Sequence, residues 1–172
     1  MGQCVYLDTG VLIPLLWDRD RDRENHCRSV VRELRGVVRK YEHRTVKIPR
    51  IVIGEAISKY IDDVREESTG FSHQPDQTDL VKNLYEVISN LDAELVTIDN
   101  GCYGLAQTLN REDSRLNGTD LYIASMAVYD RSATHLIALD SDLIESTAIT
   151  EIANKRQSRG EREHGLKVQN NY

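Results

Sequence analysis

Residues 4–13, CVYLDTGVLI, carry a pattern typical of one kind of fold. The run is apolar and rich in residues that favour β structure, and it is interrupted by Asp8, a small residue and Gly10. This pattern predicts a buried first strand with a carboxylate at its C-terminal end. Ligands bind at that edge of an open parallel sheet. Asp8 is therefore the first candidate functional residue.

The remaining chain predicts alternating strands and helices. Three further β-rich runs cover residues 45–53, 94–98 and 135–139, and a short last strand is expected near 166–168. Between them, apolar residues recur at spacings of three and four, which indicates helices. Because the strands are apolar runs and not strict alternations, the sheet should be mainly parallel with helices on both faces. The expected fold class is α/β, a three-layer α/β/α sandwich with a central, mainly parallel sheet of four to five strands.

The length and composition predict one domain. With 172 residues, 40% of them hydrophobic, the chain is long enough for one well-packed domain and short for two. We expect residues 1–172 to form that domain, with a polar loop near 66–79 and a polar C-terminal stretch near 154–164. No apolar run is long enough to span a membrane and no leader peptide is evident, so we expect a cytoplasmic protein without membrane attachment. Three cysteines without metal-binding spacing predict reduced core residues.

Three further acids are expected at the same edge of the sheet as Asp8. Glu55 follows the second predicted strand and is expected in the first turn of the next helix. Asp120 is expected in the first turn of a helix capped by Thr119, and Asp140 follows the fourth strand. An isolated acid at such a position is most often a helix cap or a turn residue. Four acids at one edge predict a functional site.

Two other aspartates occupy similar positions. Asp99 follows the third predicted strand, and we interpret it as a turn or cap residue. Asp142 lies two residues after Asp140 and is either a helix cap or an outer metal ligand.

The chemistry of the four acids favours a hard metal ion. Carboxylates brought close together raise one another's pKa unless a counter-charge is present. A divalent cation supplies that charge. Because none of the four positions is His or Cys, the oxygen-only set indicates Mg²⁺ or Mn²⁺ and not Zn²⁺.

The charge is segregated along the chain. Residues 18–50 hold eleven lysines and arginines against six acids, a balance of +5 in a chain whose net charge is -6. Four side chains in this region are candidates for binding the phosphate backbone of a nucleic acid: Arg28, Arg32, Arg35 and Arg39. A second basic cluster near the end comprises Lys155, Arg156, Arg159, Arg162 and Lys167. Either cluster, taken alone, is explained equally well by a binding surface and by a solvated helix face.

Four motifs together resemble the PIN-domain nucleases, and among them the VapC-type toxin ribonucleases. They are VYLDTGVLI at 5–13, IGEAI at 53–57, TDLYIASMA at 119–127 and LIALDSDL at 136–143. The resemblance covers nearly the whole chain, with the motifs in the family's order. The fourth motif carries Ala138 where the family usually has Thr or Ser.

The resemblance implies metal-dependent hydrolysis of RNA. In that assignment Asp8, Asp120 and Asp140 bind Mg²⁺ or Mn²⁺, and Thr9 supports Asp8 or a water. Glu55 either binds the metal through water or orients the attacking water. One metal and two metals both remain open.

The resemblance also implies a biological role. Small members resemble toxins of toxin-antitoxin pairs, so we expect a small antitoxin as partner and consider a homodimer. The alternative is a housekeeping RNA-processing or quality-control nuclease. Two other functions are alternatives. One is a non-catalytic domain that binds RNA or a protein. The other is an aspartic protease, because residues 7–10 are LDTG.

Overall fold

The computed structural model describes residues 3–16, 21–40, 44–67 and 77–171. Its strands are β1 Gln3–Leu7, β2 Arg44–Pro49, β3 Glu94–Val96, β4 Ala133–Ile137 and β5 Lys167–Gln169. They form a sheet in the order β3-β2-β1-β4-β5, and every neighbouring pair is parallel. The predicted parallel α/β architecture is confirmed.

Helices connect and flank these strands. Within the described ranges they are α1 Thr9–Leu16, α2 Arg21–Lys40, α3 Arg50–Glu67, α4 Gln77–Leu91, α5 Asn100–Glu112, α6 Gly118–Tyr129, α7 Ser141–Ile144 and α8 Thr147–Ser158. An aspartic protease is almost all β, so this helical architecture excludes that reading of the LDTG sequence. Within the part of the chain described, no helix is both long and apolar enough to cross a membrane.

The sequence of the central strand β1 does not alternate between apolar and polar residues. Its residues Cys4, Val5, Tyr6 and Leu7 are all buried, because the strand has neighbours on both edges and helices on both faces. The main core packs around it and includes Leu136. Asp8 therefore emerges at the middle of the sheet's carboxyl edge.

The second strand is shorter than its sequence predicts. The expected strand at 45–53 ends at Pro49, and α3 begins at Arg50. Pro49 has no backbone N–H to continue the ladder, and a short apolar run such as 51–53 suits a buried helix as well as a strand. Glu55 consequently lies in the second turn of α3 and not in the first, as the sequence had suggested.

Other helix boundaries also differ from expectation. The N-cap of α6 is Asn117 and not Thr119, although Asp120 lies in the first turn as expected. The residues that follow Asp140 form two separate helices, α7 and α8. Of the predicted loop at 66–79, residues 68–76 lie outside the described residues, α3 extends to Glu67, and α4 begins at Gln77.

Pro14 lies inside α1 and not in its first turn. Since proline cannot donate to the carbonyl four residues earlier, the Gly10 carbonyl loses its helical partner. The Cys27 thiol of α2 approaches that oxygen at 4.0 Å. This contact links α1 to α2.

The basic cluster at the C-terminal end is not a uniform surface. Arg162 is buried, with only 3% of its surface exposed. Its guanidinium donates to the carbonyls of Ala127, Val128, Asp130, Ala133 and His164. Ala127 and Val128 lie in the last turn of α6, where carbonyls lack helical partners. Arg162 is thus a structural residue that satisfies the end of α6.

Candidate active site

One cavity brings the four predicted acids together. Asp8 follows β1, Glu55 lies in α3, Asp120 in the first turn of α6, and Asp140 caps α7 just after β4. The cavity has a volume of about 280 Å³, and its lining is Asp8, Thr9, Gly10, Ile13, Glu55, Lys59, Asp120 and Asp140. Residues far apart in sequence meet here because the strands end, and the helices that follow begin, at the same edge of the sheet.

Asp8 is the most buried of the four acids. Only 2% of its surface is exposed. Its Oδ2 accepts a hydrogen bond from the Gly10 backbone N–H at 3.0 Å, while the buried Oδ1 has no hydrogen-bond partner among the residues that the structure describes. Burial raises the pKa of Asp8 to about 6; the Gly10 hydrogen bond opposes that rise and the charge of Asp120 adds to it. The ionised form of Asp8 is therefore disfavoured in this buried position.

Gly10 permits this close arrangement. A Cβ atom at position 10 would lie 3.1 Å from Asp8 Oδ2 and 3.4 Å from Leu139 Cβ. Both contacts are tight, so a larger residue would push against the carboxylate that the Gly10 amide holds. Gly10 therefore leaves the Asp8 carboxylate room to accept from the backbone N–H of residue 10.

Glu55 is held by donors on both of its oxygens. Thr9 Oγ1 donates to Oε2 at 2.6 Å, and Lys59 Nζ lies 2.8 Å from Oε1. Partial burial alone would raise the pKa of Glu55, but the hydrogen bonds from Lys59, Thr9 and Thr119 lower it overall. Glu55 is the securely ionised acid of the cavity.

Asp120 and Asp140 form the more open side. Burial raises the pKa of Asp120 to about 6, and the charges of Asp140 and Glu55 add to the shift. Asp140 Oδ1 accepts from the backbone N–H of Asp142 at 2.7 Å and so caps α7. Asp142 is outside the lining of the cavity, but its charge also raises the pKa of Asp120.

The donor chemistry fits a hard divalent cation. As the side chains stand, no group of three or more His, Cys, Asp or Glu residues among those described is arranged so that it could hold a metal ion. The oxygen-only donor set and the unpartnered Oδ1 of Asp8 nevertheless suit Mg²⁺ or Mn²⁺. Glu55 is engaged with Lys59, and Asp140 with its own helix, so their side chains would have to rearrange to bind an ion.

Two aspartates outside the cavity have structural roles, in contrast to Asp8. Asp99 Oδ1 accepts from Gly101 N at 2.8 Å and caps α5, as predicted from the sequence. Asp130 accepts from Tyr6, Lys47 and Ser132. Partial burial opposes ionisation of Asp130, but these donors lower its pKa to about 2. Both carboxylates are satisfied by the protein itself, whereas Asp8 is not.

The candidate RNA-binding arginines lie on α2. Arg28 and Arg32 are exposed and Arg35 is half-buried. All three line a cavity of about 300 Å³, which residues of α4 line as well. Arg28 also pairs with Glu24. The side chain of Arg39 lies outside the described residues.

Sequence reasoning missed two residues that bear on Glu55. Lys59 lies four positions after Glu55 in the same helix, a spacing at which an acid and a base make an ion pair. That spacing was a usable signal. Thr119 was assigned as a helix cap, but its hydroxyl instead hydrogen-bonds Glu55.

Comparisons with known proteins place the sequence in context. The PIN domain model matches residues 5–149, a range that includes all four acids of the cavity. No curated protein matches the sequence. Among solved structures, the chain is similar to the crystal structure of VapBC2 from Rickettsia felis bound to a DNA fragment from their promoter. The TM-score is 0.48 at 14% sequence identity, covering 95% of this chain and 98% of that chain.

Proposed function

The chain belongs to the PIN-domain family, and from that premise we propose that it is a metal-dependent endoribonuclease acting at the cavity of Asp8, Glu55, Asp120 and Asp140. Members of this family are generally nucleases. The observation that carries the proposal is Asp8, a buried carboxylate with an unpartnered oxygen, in a cavity shared with three other acids.

Each acid has a proposed task. Asp8, Asp120 and Asp140 would hold Mg²⁺ or Mn²⁺, with Asp142 as an outer ligand. A bound ion of this kind lowers the pKa of a water and stabilises negative charge on phosphate oxygens. Glu55 would orient the attacking water or contact the ion through water, because the buried Thr9 hydroxyl holds its Oε2 in place. Thr9 would be a positioning residue.

The basic face of α2 would hold the RNA backbone. Four acids repel phosphate, so a nuclease of this kind needs cations elsewhere on its surface. Arg28 and Arg32 are exposed and Arg35 shares their cavity, which supports this role; Arg39 remains a candidate from the sequence.

A matched substrate pair tests the proposed activity. Labelled RNA and DNA of one sequence are incubated with the protein, first with chelator and then with Mn²⁺ or Mg²⁺ in excess. The proposal predicts cleavage of the RNA alone, and only with the metal. Equal cleavage of the DNA would overturn the substrate class, and cleavage in chelator would overturn the metal requirement.

Within this activity, we propose the role of a toxin with a small antitoxin partner. An exposed apolar surface supports the presence of a protein partner: Ile57 and Ile61 lie one turn apart on α3, and Val81 and Tyr85 one turn apart on α4. These pairs flank a small core that includes Tyr60 and Leu80. A second copy of the chain is the alternative occupant. A cytoplasmic location stays a prediction.

Growth separates a toxin from a housekeeping nuclease. Induced expression of the wild type should arrest a bacterial host, and expression of Asp8→Asn should not. Unimpaired growth with an active enzyme would favour RNA processing or quality control. RNA binding without cleavage or metal affinity would favour a non-catalytic binding domain.

A further inference from the structure

The carboxylate cavity contains its own cation. Lys59 Nζ lies 2.8 Å from Glu55 Oε1, and Lys59 lines the same cavity as Asp8, Asp120 and Asp140. Resting on the proposed function, we propose that Lys59 is the counter-cation of the metal-free site and competes with the divalent ion for the Glu55 carboxylate.

The helix fixes this pairing. Lys59 follows Glu55 by four residues in α3, an orientation in which the acid precedes the base and the two side chains meet on one face. No rearrangement of the chain is needed to bring the ammonium to the site. The cation is therefore present whenever α3 is folded.

Of the two donors to Glu55, Lys59 is the one able to leave. Thr9 is buried, with 3% of its surface exposed, and its hydroxyl is tied to Oε2. The Lys59 side chain is 53% exposed and can turn into solvent. An incoming cation that approaches Glu55 consequently displaces the ammonium and leaves Thr9 in place.

Charge explains why the two cations exclude each other. Among the described residues that line the cavity, Lys59 carries the single positive charge against four acids. A divalent ion and an ammonium held at one carboxylate repel each other strongly at short range. Metal binding by the wild type therefore includes the cost of moving Lys59 away.

Calorimetric titration with Mn²⁺ tests the proposal on the full chain. The variants are Lys59→Met, which removes the charge, Lys59→Arg, which keeps it, and Lys155→Met, which removes a charge from an exposed position on α8. Lys59→Met should bind Mn²⁺ at least about fivefold more tightly than the wild type. Lys59→Arg and Lys155→Met should bind it as the wild type does.

Thermal unfolding in chelator supplies a readout without metal. Lys59→Met should melt at a lower temperature than the wild type because the remaining acids lose their counter-charge, and added salt should reduce the difference. Lys155→Met should not show this salt-dependent loss. A metal-free Lys59→Met as stable as the wild type would contradict the counter-cation role.

The outcomes separate this inference from the proposed function. Mn²⁺ binding by the wild type, with unchanged or weaker binding by Lys59→Met, overturns the role of Lys59 and leaves the metal site standing. Absence of Mn²⁺ binding in both proteins overturns the competition and the metal dependence together. Tighter binding by Lys59→Arg as well would also overturn it, because that variant retains the charge.

Discussion

Asp8 and Asp130 show how the same residue type serves opposite purposes. Asp130 accepts from several side chains, among them Tyr6 and Lys47, and its pKa falls to about 2, whereas the donors to Asp8 are backbone N–H groups and burial raises its pKa to about 6. A carboxyl whose pKa is raised in the folded state stabilises the fold when protonated, and that stabilisation is lost as the pH rises through the folded pKa. The ionised carboxylate of Asp8 therefore lowers the stability of the metal-free protein at neutral pH.

Replacing Asp8 by Asn should stabilise the metal-free protein at pH 7.5. The amide keeps an acceptor for the Gly10 N–H and removes the buried charge, so the free energy of unfolding should rise by up to about 3 kcal/mol. The gain should disappear as the pH falls from about 6 to about 4, where wild-type Asp8 is protonated. Urea unfolding in chelator at pH 7.5 and 4.5 measures both values. A gain of equal size at the two pH values would contradict this assignment of the charge.

The buried hydrogen bonds of Arg162 should contribute strongly to the stability of the fold. Arg162→Met should lower the free energy of unfolding by about 3 kcal/mol or more, because several buried carbonyls lose their donor. Arg159→Met removes an exposed arginine from the same segment and should change it by less than about 0.5 kcal/mol. Denaturant unfolding compares the two. Equal losses would show that the segment depends on charge and not on these hydrogen bonds.

These residues also show what the sequence can reveal. Asp8 and Asp140 were predictable because an acid after a buried strand must lie at the sheet's carboxyl edge. The Lys59 pairing with Glu55 was readable from helical spacing. The role of Arg162 was not predictable, since most of its acceptors lie about thirty residues earlier in the sequence, at the end of α6 and the start of β4, and come near it only in the folded chain.

Among the elements, α2 carries the proposed RNA-binding face. Reversing Arg28 and Arg32 to Glu should weaken RNA binding and reduce the slope of log affinity against log salt by about 0.7 for each phosphate that the variant no longer neutralises. Both side chains are exposed, so the fold should survive. Arg159→Glu, at the end of α8, should leave the slope unchanged. An unchanged slope in the α2 variant would place the RNA elsewhere.

Helix boundaries were less predictable than helix existence. The strand was predicted to continue through residue 53, but it ends at Pro49. The prediction was wrong because an apolar run of three residues, such as 51–53, suits a buried helix as well as a strand. The N-cap of α6 is Asn117 and not Thr119, and the Thr119 side chain contributes instead to the lowered pKa of Glu55. A side chain claimed by a tertiary contact cannot be assigned from local capping preferences alone.

At the scale of the whole molecule, the parallel sheet is what assembles the site. The strand order places β1 between β2 and β4, so the acid that follows β1 lies between those supplied by α3 and by the turn after β4. Alternating apolar strands and helices predicted this architecture. The geometry within the cavity was not predictable, because it depends on how each acid shares protein donors such as Gly10 and Lys59.

The central claim is that the four acids act together as a metal-dependent site for RNA cleavage. Cleavage of a structured RNA with Mn²⁺ should be measured for the wild type, Asp8→Asn, Asp120→Asn and Asp99→Asn. Asp99 is the matched control, an aspartate that also follows a strand but caps α5 outside the cavity, and Asn preserves a cap. We expect the wild type and Asp99→Asn to cleave the RNA, and the cleavage rate of Asp8→Asn and Asp120→Asn to be at least about a hundredfold lower. Cleavage by Asp8→Asn at the wild-type rate, or by the wild type in chelator, would contradict it.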